Sequence, residues 1–172
     1  MNDHLKSKNQ LMVEKFKALT HEHPMGVLRQ VISVRPTADL PLEVRKLCAR
    51  LMLEETLETI QDGLGLAVRV PERPCAGDRE LVTIDRVEFV SRSRAYLVTL
   101  ADGLADQEVV LLGTASAFGI AQQPIFEAVM DNNCEKFGPG HSMDEGGKLV
   151  KPAGHKAPDI GALLRQQGWR DD

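Results

Sequence analysis

The chain has 172 residues, with 21 Lys and Arg against 25 Asp and Glu, which leaves a formal net charge of −4. No basic tract marks a nucleic-acid face, no apolar run reaches the roughly 18 residues of a membrane span, and the opening MNDHLKSKNQ lacks the apolar stretch of a signal peptide. A soluble, cytoplasmic protein is expected, read as a single domain over residues 1–172 with a sizeable core. Cys48, Cys75 and Cys134 form no CxxC pair and read as free thiols.

In chain order, KSKNQLMVEKFKALT (residues 6–20) carries Leu11, Met12, Phe16 and Leu19 at near-helical spacing with lysines opposite, the pattern of an amphipathic helix. A link bearing Pro24, Pro36 and Pro41 follows. A second helix is predicted from Leu42 to about Gln61, stopped by Asp62, Gly63 and Gly65. Residues 66–90 are rich in β-branched side chains and hold turn signals at Pro71, Pro74 and Gly77, so short strands forming a β-hairpin insertion are expected. Arg92 and Arg94 come next, where solvated loop arginines are a plainer reading than phosphate ligands.

A long, very apolar helix is predicted over residues 93–118, with Leu97, Leu100, Leu104, Val109, Val110, Leu111 and Leu112. Gly103, Gly113 and several alanines allow it to pack closely, and its apolar character places it centrally or at a subunit interface. Gly119 ends it. Pro124 is expected at about the first position of a further helix, which closes at Gly138, Pro139 and Gly140. The tail HSMDEGGKLVKPAGHKAPDI reads as an irregular loop, and GALLRQQGW as a final short helix. Helices dominate, so the expected class is an all-α helical bundle.

Two acidic clusters stand out. Glu54, Glu55 and Glu58 lie within LMLEETLETI, among Leu47, Leu51, Leu53, Leu57 and Ile60. At 100° per residue the three carboxylates fall within one arc of the helix. Asp102 and Asp106 form a second pair four residues apart in the third helix. Carboxylates beside apolar surface need a partner. Two such helices face to face would offer an all-oxygen site suited to Mg²⁺. The plainer alternative is a solvated acidic face countered by Lys46 and Arg50.

These segments, in order, carry a resemblance. VEKFKAL, PLEVRKLCARLMLEETLETIQDGL, LADGLADQEVVLLGTASAFGI, IFEAVMDNNCEKFG and GKLVKPAGHKAPDI together resemble the MazG-like, all-α nucleoside triphosphate pyrophosphohydrolases, in the phosphoribosyl-ATP pyrophosphohydrolase-like branch. The resemblance implies Mg²⁺, with Mn²⁺ as a substitute, bound through an EExxE string and a later ExxD pair. It implies hydrolysis of a nucleoside triphosphate between the α and β phosphates to a monophosphate and pyrophosphate. Glu54, Glu55 and Glu58 occupy the EExxE positions, with Glu54 the candidate to activate water, and Asp106 matches the Asp of ExxD. The Glu of that pair falls on Gly103, and Asp102, one residue earlier, is expected to replace it.

Asn133 and Lys136 match an asparagine and a lysine that the family uses near the substrate, and Lys148 and Lys151 fall in a phosphate-proximal loop. Asn133 and Lys136 also suit local roles at a helix end. His155 reads as a surface histidine. The apolar third helix and the resemblance both point to a homodimer or higher homo-oligomer, with no nucleic-acid or membrane partner. Two rivals remain: a non-catalytic nucleotide- or metal-binding relative of the same fold, and a structural bundle.

Overall fold

The computed structural model describes residues 3–19, 31–70, 84–137, 142–143, 149–150 and 154–170. After one 3₁₀ turn, Asp3–Leu5, helix α1 spans Lys8–Leu19 and α2 spans Leu42–Glu58, passing into a wider π turn at Thr59–Gly63. Strand β1, Leu66–Arg69, precedes a 3₁₀ turn at Ile84–Arg86 and strand β2, Glu88–Ser91. Helices α3, Leu97–Ala117, and α4, Gln122–Glu135, follow. The chain closes with β3, Ser142–Met143, β4, Leu149–Val150, and α5, Ile160–Gln166.

The described residues are mainly helical, in line with the expected class. β1 and β2 form the short antiparallel ladder expected between residues 66 and 90, with Leu66 opposite Ser91 and Arg69 opposite Glu88. A second antiparallel pair, Ser142 opposite Val150, interrupts the tail that the sequence presents as irregular. No single described helix is long and apolar enough to cross a membrane. By contacts the chain divides into two compact units, Met1–Val44 with Leu112–Asp172, and Arg45–Leu111.

In the first unit the buried apolar residues are Val13, Leu40, Val44, Leu112, Ala115, Ala117 and Ala121. Helix α1 departs from expectation. Its apolar stripe lies outward, with Met12, Phe16 and Leu19 exposed by 60%, 58% and 73%, while Gln10 and Val13 are buried. Hydrogen bonds choose this face. The Gln10 amide donates to the Ile120 carbonyl at 2.7 Å and the Ser116 hydroxyl at 3.3 Å, and its oxygen accepts the Gln122 N–H at 3.1 Å. Lys17, expected among the solvated lysines, donates to the carbonyls of Gly113 and Val31 at 2.9 and 3.1 Å. A long methylene stem lets a lysine cover apolar surface while its ammonium finds polar partners.

The hydrogen bond from Lys6 to Glu14, at 2.8 Å, anchors the start of α1. Burial by itself lowers the Lys6 pKa, but hydrogen bonds to Glu14 and Asp3, with their charges, override it and raise the ammonium above its usual value.

The turn from α3 to α4 explains another departure. Gly119 has φ of +71°, and a side chain there would collide with the Arg35 carbonyl oxygen. The Gly119 and Ile120 N–H groups bond back to the carbonyls of Ser116 and Ala115, the double closure common at helix C-termini. Helix α4 then starts at Gln122, two residues before the expected Pro124. Proline is tolerated in the first turn because N–H groups there have no intrahelical partner. One such N–H, that of Gln122, is satisfied by Gln10 from α1. Gln167 grips the residue before, accepting from the Ala121 N–H at 2.8 Å and donating to its carbonyl at 3.0 Å. Asp159 caps α5 by accepting the Ala162 N–H at 2.8 Å.

Candidate metal centre

In the second unit, the end of α2 and the first half of α3 touch at two points where one partner has no side chain. A Cβ built on Gly103 would lie 2.5 Å from the Thr59 hydroxyl oxygen and 3.2 Å from its Cβ. A Cβ on Gly63 would lie 2.8 Å from Leu100 Cα. Thr59 is 4% exposed, and its hydroxyl donates to the Glu55 carbonyl at 2.7 Å. The same contacts bring the acidic stripes of both helices to one small cavity of about 80 Å³. Glu55, Glu58, Thr59 and Asp62 line one side, and Thr99, Asp102, Gly103 and Asp106 the other. At roughly 30 Å³ per water, that space has room for an ion with one or two waters.

No ion pair joins any of these acids to a described lysine or arginine. Glu58, Asp62, Asp102 and Asp106 are exposed, as in the alternative of a solvated acidic face countered by Lys46 and Arg50. The electrostatic result is legible on Glu55. Partial burial, then the negative charges of Asp106, Glu58 and Glu54, raise its carboxyl above the ordinary range. An all-carboxylate wall suits a hard divalent cation, which takes oxygen ligands. Among the described residues no three His, Cys, Asp or Glu side chains converge on a common point as a ready-made ion site. The donors line one cavity without converging.

Four of the five expected metal ligands, Glu55, Glu58, Asp102 and Asp106, line this cavity. Glu54 does not. It is exposed on α2, and its charge reaches the site through Glu55. Asp62 is a lining residue that sequence reasoning treated only as a helix stop. Its position four residues after Glu58 was the available signal, because the helical path continues through the π turn.

Asn133 and Lys136 belong to the first unit, where the Lys136 ammonium donates to the Asn133 side-chain oxygen at 2.5 Å. The neighbouring Asn132 donates to the Lys156 carbonyl at 2.6 Å and pairs with His155 at 3.1 Å, so this histidine is half-buried rather than a free surface group. Lys148 and Lys151 lie outside the described residues, as does Cys75; Cys48 and Cys134 are free thiols.

Compared with known protein families the chain matches none, and no curated protein matches it.

The glycine at position 103 has a structural reason. It stands where Thr59 presses against α3, so a longer residue would separate the two helices. Overpacking of this kind is expected to destabilise Gly103→Ala by about 1–3 kcal/mol in urea unfolding. Gly103→Glu is expected to lose stability without gaining metal affinity, because Asp102 already lines the cavity. A well-folded Gly103→Glu protein that binds Mg²⁺ more tightly would contradict this account of the departure.

Proposed function

We propose that this chain is a Mg²⁺-dependent nucleoside triphosphate pyrophosphohydrolase of MazG-like type, hydrolysing its substrate to a nucleoside monophosphate and pyrophosphate in nucleotide-pool housecleaning. The reading is carried by one observation, a small cavity walled by Glu55, Glu58, Asp102 and Asp106 from two touching helices, with no described cation to neutralise them. The ordered resemblance to MazG-like segments supports it. Mg²⁺ or Mn²⁺ held by these carboxylates would supply charge neutralisation on the phosphates and a more acidic bound water.

The remaining steps belong to the chain's own groups. Glu55, Glu58, Asp102 and Asp106 would hold the ion, with the Asp62 carboxylate at the edge of the cavity. The assignment of Glu54 as acceptor of the proton of the attacking water rests on the family resemblance, since Glu54 stands outside the wall. Water adds to one phosphorus of the α–β bridge, the bond from that phosphorus to the bridging oxygen breaks, and the two products are the monophosphate and pyrophosphate. Contacts of Asn133, Lys136, Lys148 and Lys151 with the substrate rest on the family resemblance alone. A cytoplasmic location belongs to the same reading.

The expected result is pyrophosphate release from at least one ribo- or deoxyribonucleoside triphosphate with Mg²⁺ or Mn²⁺. Orthophosphate as first product would overturn α–β cleavage. No turnover across the common nucleotides would favour the second reading, a nucleotide- or metal-binding relative without catalysis. One observation favours that alternative: the carboxylates do not converge on a common point.

We also propose a homodimer or higher homo-oligomer. Few large apolar side chains are buried among the described residues, whereas Phe16, Leu19, Leu97, Val98, Leu104 and Phe126 are all more than half exposed. Each of the two units thus carries exposed apolar side chains of the kind that interaction surfaces present. Sedimentation equilibrium at micromolar concentration is expected to give at least twice the 19.0 kDa chain mass. A monomer would refute the proposal.

A further inference from the structure

The acid-lined cavity has a larger neighbour in the same unit. Gln61, Asp62, Arg92, Ser93 and Tyr96 line a space of about 330 Å³. Asp62 is common to both linings, so a ligand in the larger space reaches the edge of the acidic one. Its size falls at the lower end of small-molecule sites, roughly 300–1,000 Å³.

The wall is pinned in place. The Gly65 carbonyl accepts the N–H groups of Arg92 and Ser93 at 2.9 and 3.1 Å, and the Gly63 carbonyl accepts that of Tyr96 at 2.8 Å. Gly65 itself has φ of +68°, and a Cβ there would fall 2.5 Å from the Ser93 hydroxyl oxygen. Helix α3 starts at Leu97, later than the sequence suggests, because residues 92–96 are held by these bonds. Yet Tyr96 remains 57% exposed on this pinned segment, and Arg92 forms no ion pair with a described residue. The backbone thus places an exposed aromatic ring and a guanidinium at the rim of one cavity, two groups on which planar rings stack.

Charge decides between a phosphate and a ring. Arg92 and Asp62 cancel, and Gln61, Ser93 and Tyr96 are neutral. A phosphate would gain one guanidinium and meet one carboxylate. A neutral heteroaromatic ring with N–H donors can use the ring, the carboxylate and the amide together. We propose that this cavity is a nucleobase subsite, in which the base stacks on Tyr96 and donates hydrogen bonds to Asp62 and the Gln61 side-chain oxygen. Guanine fits best, because its two adjacent N–H donors match the two oxygens of one carboxylate. The inference rests on the nucleotide reading of the acid-lined cavity and adds the base selectivity of that site.

The test uses the full chain and four free nucleosides, guanosine, adenosine, cytidine and uridine, without added metal, titrated by ligand-observed NMR. Guanosine is expected to bind tightest. Tyr96→Ala is expected to weaken it about tenfold, the order of one lost base stack, whereas Tyr96→Phe retains it. Asp62→Asn is expected to abolish the preference for guanosine, and Glu127→Gln, at an exposed position on α4 outside both cavities, to leave nucleoside binding unchanged. The subsite is overturned if wild type binds no nucleoside, if Tyr96→Ala binds as wild type does, or if ribose 5-phosphate competes as well as guanosine. Pyrophosphate release measured in parallel separates the two claims. Turnover with an unchanged KM in Tyr96→Ala removes the subsite and leaves the hydrolase. Tyr96-dependent nucleoside binding without turnover removes the hydrolase and leaves the subsite.

Discussion

Glu55→Gln and Glu58→Gln are each expected to lower pyrophosphate release by at least about 100-fold, the order seen when one element of transition-state charge stabilisation is removed. Both side chains line the acidic cavity, and each variant removes one negative ligand. The metal-free variants should remain folded. In Glu55 the proximity of Asp106, Glu58 and Glu54 adds to burial in disfavouring the charged form. A carboxyl whose pKa is raised by folding contributes its full stability below the ordinary carboxyl range. It loses that contribution as pH rises through the raised value. At neutral pH the wild-type fold therefore carries a repulsion that glutamine removes.

Urea unfolding in a chelator at pH 7 should show Glu55→Gln as stable as wild type or more so, with the difference vanishing toward pH 4. Added Mg²⁺ should stabilise wild type more than the variant, because binding to the folded state alone shifts the equilibrium. Full activity in both variants would remove the acidic cavity from the mechanism.

Gln10→Ala is expected to cause the largest loss of stability, about 3 kcal/mol or more. Gln10 is fully buried, and its amide serves the Ile120 carbonyl, the Ser116 hydroxyl and the Gln122 N–H. Each buried group left without a partner costs roughly 1–3 kcal/mol, and the vacated volume adds a cavity term. For a chain of this size the melting temperature should fall by on the order of 10 °C at fixed protein concentration. Gln10→Met separates the causes, because it keeps the volume and loses the hydrogen bonds. A Gln10→Met protein within about 1 kcal/mol of wild type would show that packing, not hydrogen bonding, makes Gln10 important.

The two positions differ in how visible they are in the sequence. Glu54, Glu55 and Glu58 announce themselves by their spacing, because a helix converts a three-residue interval into a shared face without outside help. The same local rule places Asp102 beside Asp106, and it marks the ends of the second and third helices at their glycines. Gln10 gives no such signal. A glutamine on an amphipathic helix reads as solvated, and only the carbonyl of Ile120 and the N–H of Gln122, more than a hundred residues away, make it a core residue.

By itself the sequence determined the mainly helical class, the helices' approximate extents, the short strand pair and the acidic stripes. All of these follow from periodicities acting over a few residues. Only the tertiary structure decided which face of α1 is buried, because the apolar stripe of Leu11, Met12, Phe16 and Leu19 competed with three hydrogen bonds from Gln10 and lost. It also decided which side of the acidic stripe meets α3: the cavity lies on the Glu55 side of Glu58, so Asp62 joins the wall and Glu54 stands outside it. Gly103 shows the limit most clearly. In the sequence it is a gap in an acidic pair. In the fold it is the point where Thr59 needs room, and the need for contact between two helices is not written in either one alone.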